Sequence, residues 1–177
     1  YGVSTVFVTH DQQEAVELAD RIALMMAGRV IQSGPPVDFY ERPRNRDVAH
    51  FFGNRNELAG QLQGGTVRTE FGELLVDADV IRASGMDEGP VCVLLRPEHA
   101  RIVAGPEQNA VQAEVEHQLY MGTHTRYHLC VAGSTWRIVV PAEEGTHEPG
   151  SQIWVQLPPR RVWLLPLDQS VSFNDQS

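Results

Sequence analysis

The sequence predicts a mostly β protein: a β-barrel or sandwich preceded by a small α/β segment. Three observations carry this. The first fifty-odd residues mix one apolar run with helical patterns and caps. After Asn54 helical periodicity disappears, and short apolar runs follow one another with Gly, Pro or Asp between them. Regularly spaced short strands with turn signals are the mark of a sandwich or barrel. Finally, no apolar run approaches the ~20 residues of a membrane-spanning helix.

Val3–Thr9 is β-branched and apolar on both faces, which predicts a strand buried on both sides, as in a parallel sheet. Asp11 then reads as an N-cap, with Glu14 three residues on giving a capping-box-like start. The helix runs to about Ala19 on the face Ala15, Leu18, Ala19, Ile22. Arg21–Met26 and Arg29–Ser33 read as a hairpin about Ala27-Gly28. Gly34-Pro35-Pro36 opens a short helix, Val37–Glu41, ended by Pro43. Asp47 is the expected cap of Val48–Phe52, which Gly53 closes. The strands expected beyond are Leu58–Gln63, Val67–Phe71, Glu73–Val76, Val91–Leu95, Arg101–Val103, Val111–Leu119, Thr125–Val131, Thr135–Val140, Ile153–Leu157 and Arg161–Leu165. This gives three segments: residues 1–53, 54–167, and a polar tail, 168–177.

Composition removes several functions. The chain has 177 residues, 23 acidic and 14 basic, for a net charge of −9. Every basic residue is arginine; there is no lysine. A P-loop ending in Gly-Lys-Ser/Thr is therefore excluded, as is a Schiff-base or catalytic lysine. The acidic balance argues against a nucleic-acid groove. Cys92 and Cys130 lie in apolar runs without metal spacing and read as free thiols in a reducing compartment. No secretory signal pattern is visible at the start. Tyr1 leads almost directly into an apolar run, so the chain reads as a fragment lacking an upstream part.

The run Thr5-Val6-Phe7-Val8-Thr9-His10-Asp11-Gln12-Gln13-Glu14-Ala15 resembles the switch-histidine segment of ABC transporter ATPases. The similarity continues through Ala19-Asp20-Arg21-Ile22, Gly28 to Pro36, Phe39-Tyr40-Glu41-Arg42-Pro43 and Val48 to Gly53. Val93-Leu94-Leu95-Arg96-Pro97-Glu98, Glu114-Val115-Glu116-His117 through Gly122, and Pro158–Leu165 resemble the TOBE regulatory domain joined to such ATPases. The resemblance implies a remnant of the nucleotide-binding domain over 1–53 and an OB-like TOBE β-domain over 54–167. The phrase Val162-Trp163-Leu164-Leu165 looks more like polyamine and iron importers than maltose importers. In that family the P-loop, Q-loop, signature, Walker B aspartate and catalytic glutamate precede the switch histidine, and none is present.

The resemblance makes His10 the catalytic and ATP-contacting residue, in an intact parent only. Imidazole can donate to a γ-phosphate oxygen and orient an attacking water. On placement alone His10 reads as a strand-end residue. Asp11 and Glu14 read as a cap rather than an acid/base pair. His117, His124 and His128 read as exposed strand histidines, and no metal site is expected. Arg96-Pro97-Glu98 reads as a structural corner, and Trp136, Trp154 and Trp163 as core or dimer-contact residues.

The resemblance further implies ATP and Mg2+ in the parent, with no cofactor and no turnover expected for this chain alone. The implied partners are a second copy of the subunit, membrane permease subunits and, indirectly, a periplasmic binding protein, with no nucleic acid. The implied location is the cytoplasmic face of the bacterial plasma membrane, held peripherally. The function expected is therefore the regulatory C-terminal part of the ATP-hydrolysing subunit of a binding-protein-dependent importer. The alternative is a stand-alone TOBE-like module for an oxyanion or small solute. An OB-type nucleic-acid binder is the weakest reading, given the charge and 7% aromatic residues.

Overall fold

A computed structural model describes residues 3–53 and 55–167. The predicted tail, 168–177, lies outside the described residues. The chain divides into two compact units, Tyr1–Gly53 and Asn54–Ser177.

The first unit contains α1 (Gln12–Leu18), a hairpin of β1 (Ile22–Met26) and β2 (Arg29–Gly34), α2 (Pro36–Glu41) and α3 (Arg46–Phe51). Its small core joins Leu24, Phe39, Val48 and Phe52. The Phe39 and Phe52 rings stand 5.0 Å apart and tilted. The Gln32 side chain of β2 organises the exit of α2. Its amide nitrogen donates to the carbonyls of Asp38 (3.1 Å) and Arg42 (3.3 Å), and its oxygen accepts from the Arg44 N–H (2.8 Å). The expected Asp47 cap is corrected. Asn45 caps α3, its side-chain oxygen accepting from the Val48 N–H at 2.9 Å, so the helix starts two residues earlier.

The strand predicted over Val3–Thr9 does not form. These residues have no regular structure, and Val3, Val6 and Val8 are 80%, 93% and 90% exposed. A strand apolar on both faces needs neighbours on both edges, and no described segment pairs with it.

The second unit holds two antiparallel five-stranded sheets. One has the order β12 (Val162–Pro166), β6 (Gly89–Leu95), β3 (Asn56–Gln63), β4 (Thr66–Thr69), β5 (Gly72–Leu75). The other has the order β10 (Ser134–Pro141), β9 (His124–Val131), β8 (Ala110–Tyr120), β11 (Gln152–Gln156), β7 (Arg101–Val103). Alternation sets the faces. In β9, Thr125, Tyr127, Leu129 and Val131 are buried and the residues between them are half-buried. The inward residues of both sheets meet in one core, which includes Leu58, Leu62, Val93, Leu164, Val115, Leu129, Trp136 and Val155. Gly60 allows close approach, since a Cβ there would collide with the Val67 side chain and the Arg68 carbonyl oxygen. The predicted mostly β, OB-like architecture is the one observed.

One element was not anticipated. α4 (Ala78–Ser84) lies between β5 and β6, with Asp77 accepting from the Asp79 N–H and Gly85 ending the helix at φ 67°. It packs on β12 and stays half-exposed.

Two asparagines join the sheets. The Asn56 side chain of β3 donates to the Arg137 carbonyl and accepts from the Arg137 N–H, both at 2.8 Å, so an amide side chain pairs with β10 as a strand would. Asn109, left-handed at φ 59°, accepts from the Leu75 N–H (2.8 Å) and donates to the carbonyls of Leu75 (2.7 Å) and Leu157 (3.0 Å).

Asn109→Ala is expected to lower unfolding free energy by about 2–4 kcal/mol, because it orphans the buried Leu157 carbonyl and removes two part-buried bonds to Leu75. A fall in the urea midpoint with an unchanged far-ultraviolet spectrum is the check. Asp77 yields a second expectation. The Arg160 guanidinium, 2.8 Å away, and then the Asp79 N–H hold its carboxyl below the ordinary 3.8. Because the folded value is depressed, the pair's contribution is full above 3.8 and fades as pH falls through the lower folded midpoint. A carboxyl titration by NMR should show that low midpoint, and Arg160→Ala should move it upward.

Candidate functional site

Thr9, His10 and Asp11 form a hydrogen-bonded turn without any sheet. The Asp11 N–H donates to the Thr9 hydroxyl at 3.0 Å, and that hydroxyl donates to Glu14 Oε2 at 2.6 Å. Asp11 Oδ1 accepts from the N–H groups of Gln13 (2.7 Å) and Glu14 (3.2 Å). Both carboxylates are thus engaged in starting α1, as a cap. Glu14 departs from a capping box in reaching the Thr9 hydroxyl rather than a backbone N–H. His10 lies inside this turn with its side chain exposed. Asp11 thus takes up two of the N–H donors at the start of α1, those of Gln13 and Glu14.

In the second unit the candidates separate. The Arg96 side chain is 2% exposed, inside the corner between β6 and β7 and out of reach of a solvent anion. Pro97 begins the helical turn that follows, and the His99 ring lies 3.3 Å from the Arg161 carbonyl. Trp136 is core, its ring edge-on to Phe71, while Trp154 and Trp163 are half-buried. Of the three strand histidines, His124 stays apart, with its Nδ1 3.2 Å from the Thr123 hydroxyl. His117 and His128 face each other across β8 and β9, rings 6.4 Å apart. Among the described residues no group of three or more His, Cys, Asp or Glu could hold a metal ion. Cys92 is buried and Cys130 half-buried, and neither is in a disulfide.

The inward face near the β8–β9 turn also carries polar atoms that the sequence did not flag. The Thr125 hydroxyl and Gln118 Oε1 are buried without a hydrogen-bond partner among the described residues. They lie on adjacent strands, with Gln118 opposite Tyr127 and Thr125 opposite Tyr120. The Tyr127 hydroxyl donates to the Gly145 carbonyl and accepts from the His147 N–H, both at 3.3 Å.

Residues 93–165 match the TOBE domain family. Over 173 residues the chain is 35% identical to the spermidine/putrescine import ATP-binding protein PotA of Pseudomonas fluorescens, covering 93% of this chain and 47% of that protein. The chain is similar to the ATP-binding subunits of ABC importers, and the similarity lies in their C-terminal part. It is also 36% identical over 126 residues to the Fe(3+) ions import ATP-binding protein FbpC of Fusobacterium nucleatum, covering 71% of this chain and 33% of that protein. It therefore spans at most about half the length of these curated relatives. A crystal structure of the cytoplasmic molybdate-binding protein ModG with molybdate bound superposes with a TM-score of 0.51. That match covers 63% of this chain and 95% of ModG at 14% identity, a likeness of fold alone.

The TOBE match begins inside β6 and ends inside β12, so it takes in the whole β10-β9-β8-β11-β7 sheet and the Arg96 corner but leaves out β3, β4 and β5. The importer similarity is broader: at 93% of the chain it must reach into the first unit. Within the TOBE span, Thr125→Val should raise stability by about 1 kcal/mol, because it removes a buried hydroxyl that has no partner. A higher urea midpoint is the expected reading; a lower one means the hydroxyl is satisfied in solution.

Proposed function

We propose that this chain serves as the C-terminal part of the ATP-hydrolysing subunit of a binding-protein-dependent importer. The observation that carries the reading is the span of the similarity, 173 residues at 35% identity across both units, rather than the TOBE match alone. In this reading residues 1–53 complete a nucleotide-binding domain, residues 54–167 form its regulatory β-domain, and 168–177 form a polar tail. The subunit works as a homodimer on permease subunits at the cytoplasmic face of the membrane, with a periplasmic binding protein delivering the solute. The similarity to relatives named for polyamine and ferric-ion import supports a polar or cationic solute.

The residues present fit one corner of a nucleotide site. His10 is exposed on a locally hydrogen-bonded turn, with an imidazole able to donate to a terminal phosphate oxygen. The remaining contacts need groups this chain does not supply, a lysine first among them. ATP with Mg2+ supplies the phosphoryl group whose transfer releases the energy for transport. What this chain contributes is orientation. The Thr9–Asp11–Glu14 hydrogen bonds order the backbone on either side of His10, so the turn that presents the ring toward a phosphate is already set.

A chimera tests this. The 1–177 segment replaces the matching stretch of the Pseudomonas fluorescens relative, and ATP turnover and ATP binding are measured. The chimera is expected to hydrolyse ATP, and His10→Ala within it to lower turnover about 100-fold or more while nucleotide binding persists. Near-normal turnover in the His10→Ala chimera would remove the switch role.

A further inference from the structure

We propose that His117 and His128 form a binding site for a divalent transition-metal ion that braces the β8–β9 hairpin. The argument begins with register. Val115 pairs with Leu129, and the ladder then shifts so that His117, not Glu116, stands opposite His128. In an unbroken antiparallel ladder the partner of His128 would be Glu116, and the pair would be an ordinary surface ion pair. The irregularity leaves one residue unpaired and disrupts the ladder, and bulges of this kind serve to re-aim side chains. Here its result is to set two imidazoles opposite each other, edge to face, on the outer side of the sheet.

The geometry suits ligation. The ring centres are 6.4 Å apart at an interplanar angle of 73°. With metal–nitrogen bonds of about 2.0–2.1 Å, two imidazoles on one ion place their ring centres roughly 5 to 6 Å apart. A side-chain rotation closes that difference without moving the backbone. His117 is exposed and His128 half-buried, and neither ring makes a hydrogen bond with the described residues, so no bond has to be broken. Imidazole nitrogen selects zinc, nickel or copper over calcium or magnesium. Since no third His, Cys, Asp or Glu stands close enough among the described residues, water completes the coordination sphere. The neighbouring charges are Glu114 and Glu116 on β8, Arg126 on β9, and Arg137, which pairs with His128 on β10. Arg137 is exposed, and water screens its repulsion of the ion.

The sequence alone points elsewhere. Strand periodicity groups His124, Arg126 and His128 on one face, which is an unattractive metal site. Only the register shift brings His117 in, and His124 drops out.

The test is titration of the metal-free, untagged chain with Zn2+ and with Ni2+ by calorimetry, together with histidine Cε1–H resonances by NMR. One saturable site is expected, with Zn2+ perturbing His117 and His128 first among the seven histidines. His117→Gln and His128→Gln should each weaken binding by more than about tenfold. His124→Gln and Cys130→Ser should leave it unchanged. Zn2+ should also raise the thermal midpoint of the wild type and not of His117→Gln, as expected for a ligand of the native state. Absence of saturable binding, binding that survives in the double variant, or equal perturbation of all seven histidines would overturn the site.

Discussion

The second unit depends on how two sheets that share a core satisfy the backbone groups where they meet. Apolar burial between the sheets drives them together, but it has no direction. A sheet end buried without partners loses about 1–3 kcal/mol for each orphaned group. Asn56 and Asn109 remove that cost at two places where one sheet meets the other. Asn56 places an amide on the edge of β10 and exchanges two hydrogen bonds with Arg137, reproducing one rung of a ladder. Asn109 does the same for Leu75 and takes the Leu157 carbonyl as well. Both side chains are at least nine-tenths buried, so their bonds work in a low dielectric and compete little with water. The pair turns two open sheets into a structure that is partly closed, as an OB-like barrel is.

That frame decides what was legible in the sequence. The strands are legible because each has one wet and one dry face; the alternation in 124–131 or 134–141 can be read directly. The Asn56 and Asn109 bridges are not, because their partners lie 81 and 34 or 48 residues away. The helix Ala78–Ser84 escapes notice for a different reason. It buries none of its residues fully, so its apolar pattern is weak, and only the Asp77 cap and Gly85 announce it. The α3 cap falls to Asn45 instead of Asp47 because Asn45 is already extended, at φ −151°, and its oxygen reaches the Val48 N–H. Cap identity depends on backbone angles that composition does not specify.

The first strand marks the opposite limit. Val3–Val8 has the composition of a buried strand, and composition is a statement about surroundings as much as about the segment. Without flanking strands among the described residues, the same side chains stand in solvent. The β8 register shift belongs with it. Alternation from Ala110 onward predicts one face for each residue, and a single displaced residue after Val115 reverses the assignment for everything up to Tyr120. Gln118 is thereby turned inward beside Thr125, and His117 outward beside His128. Both consequences, the unpartnered polar atoms inside and the imidazole pair outside, come from one irregularity.

In the proposed subunit the geometry around His10 is local while its address is not. The Thr9 hydroxyl, the Asp11 carboxylate and Glu14 bind one another and the first turn of α1 within six residues, with no contribution from the rest of the core. That turn therefore survives where the preceding strand does not. In the proposed subunit the strand would contribute direction, fixing where the turn sits against a phosphate, and the turn would contribute the angle at which the ring leaves the backbone. The two are separable in cost. Holding the turn needs a few side-chain hydrogen bonds of about 1 kcal/mol each. Aiming it needs a sheet that buries Val6, Phe7 and Val8, side chains worth about 1.5–3 kcal/mol apiece when taken out of water. A sensor of the proposed kind would be set by local chemistry and switched on by assembly.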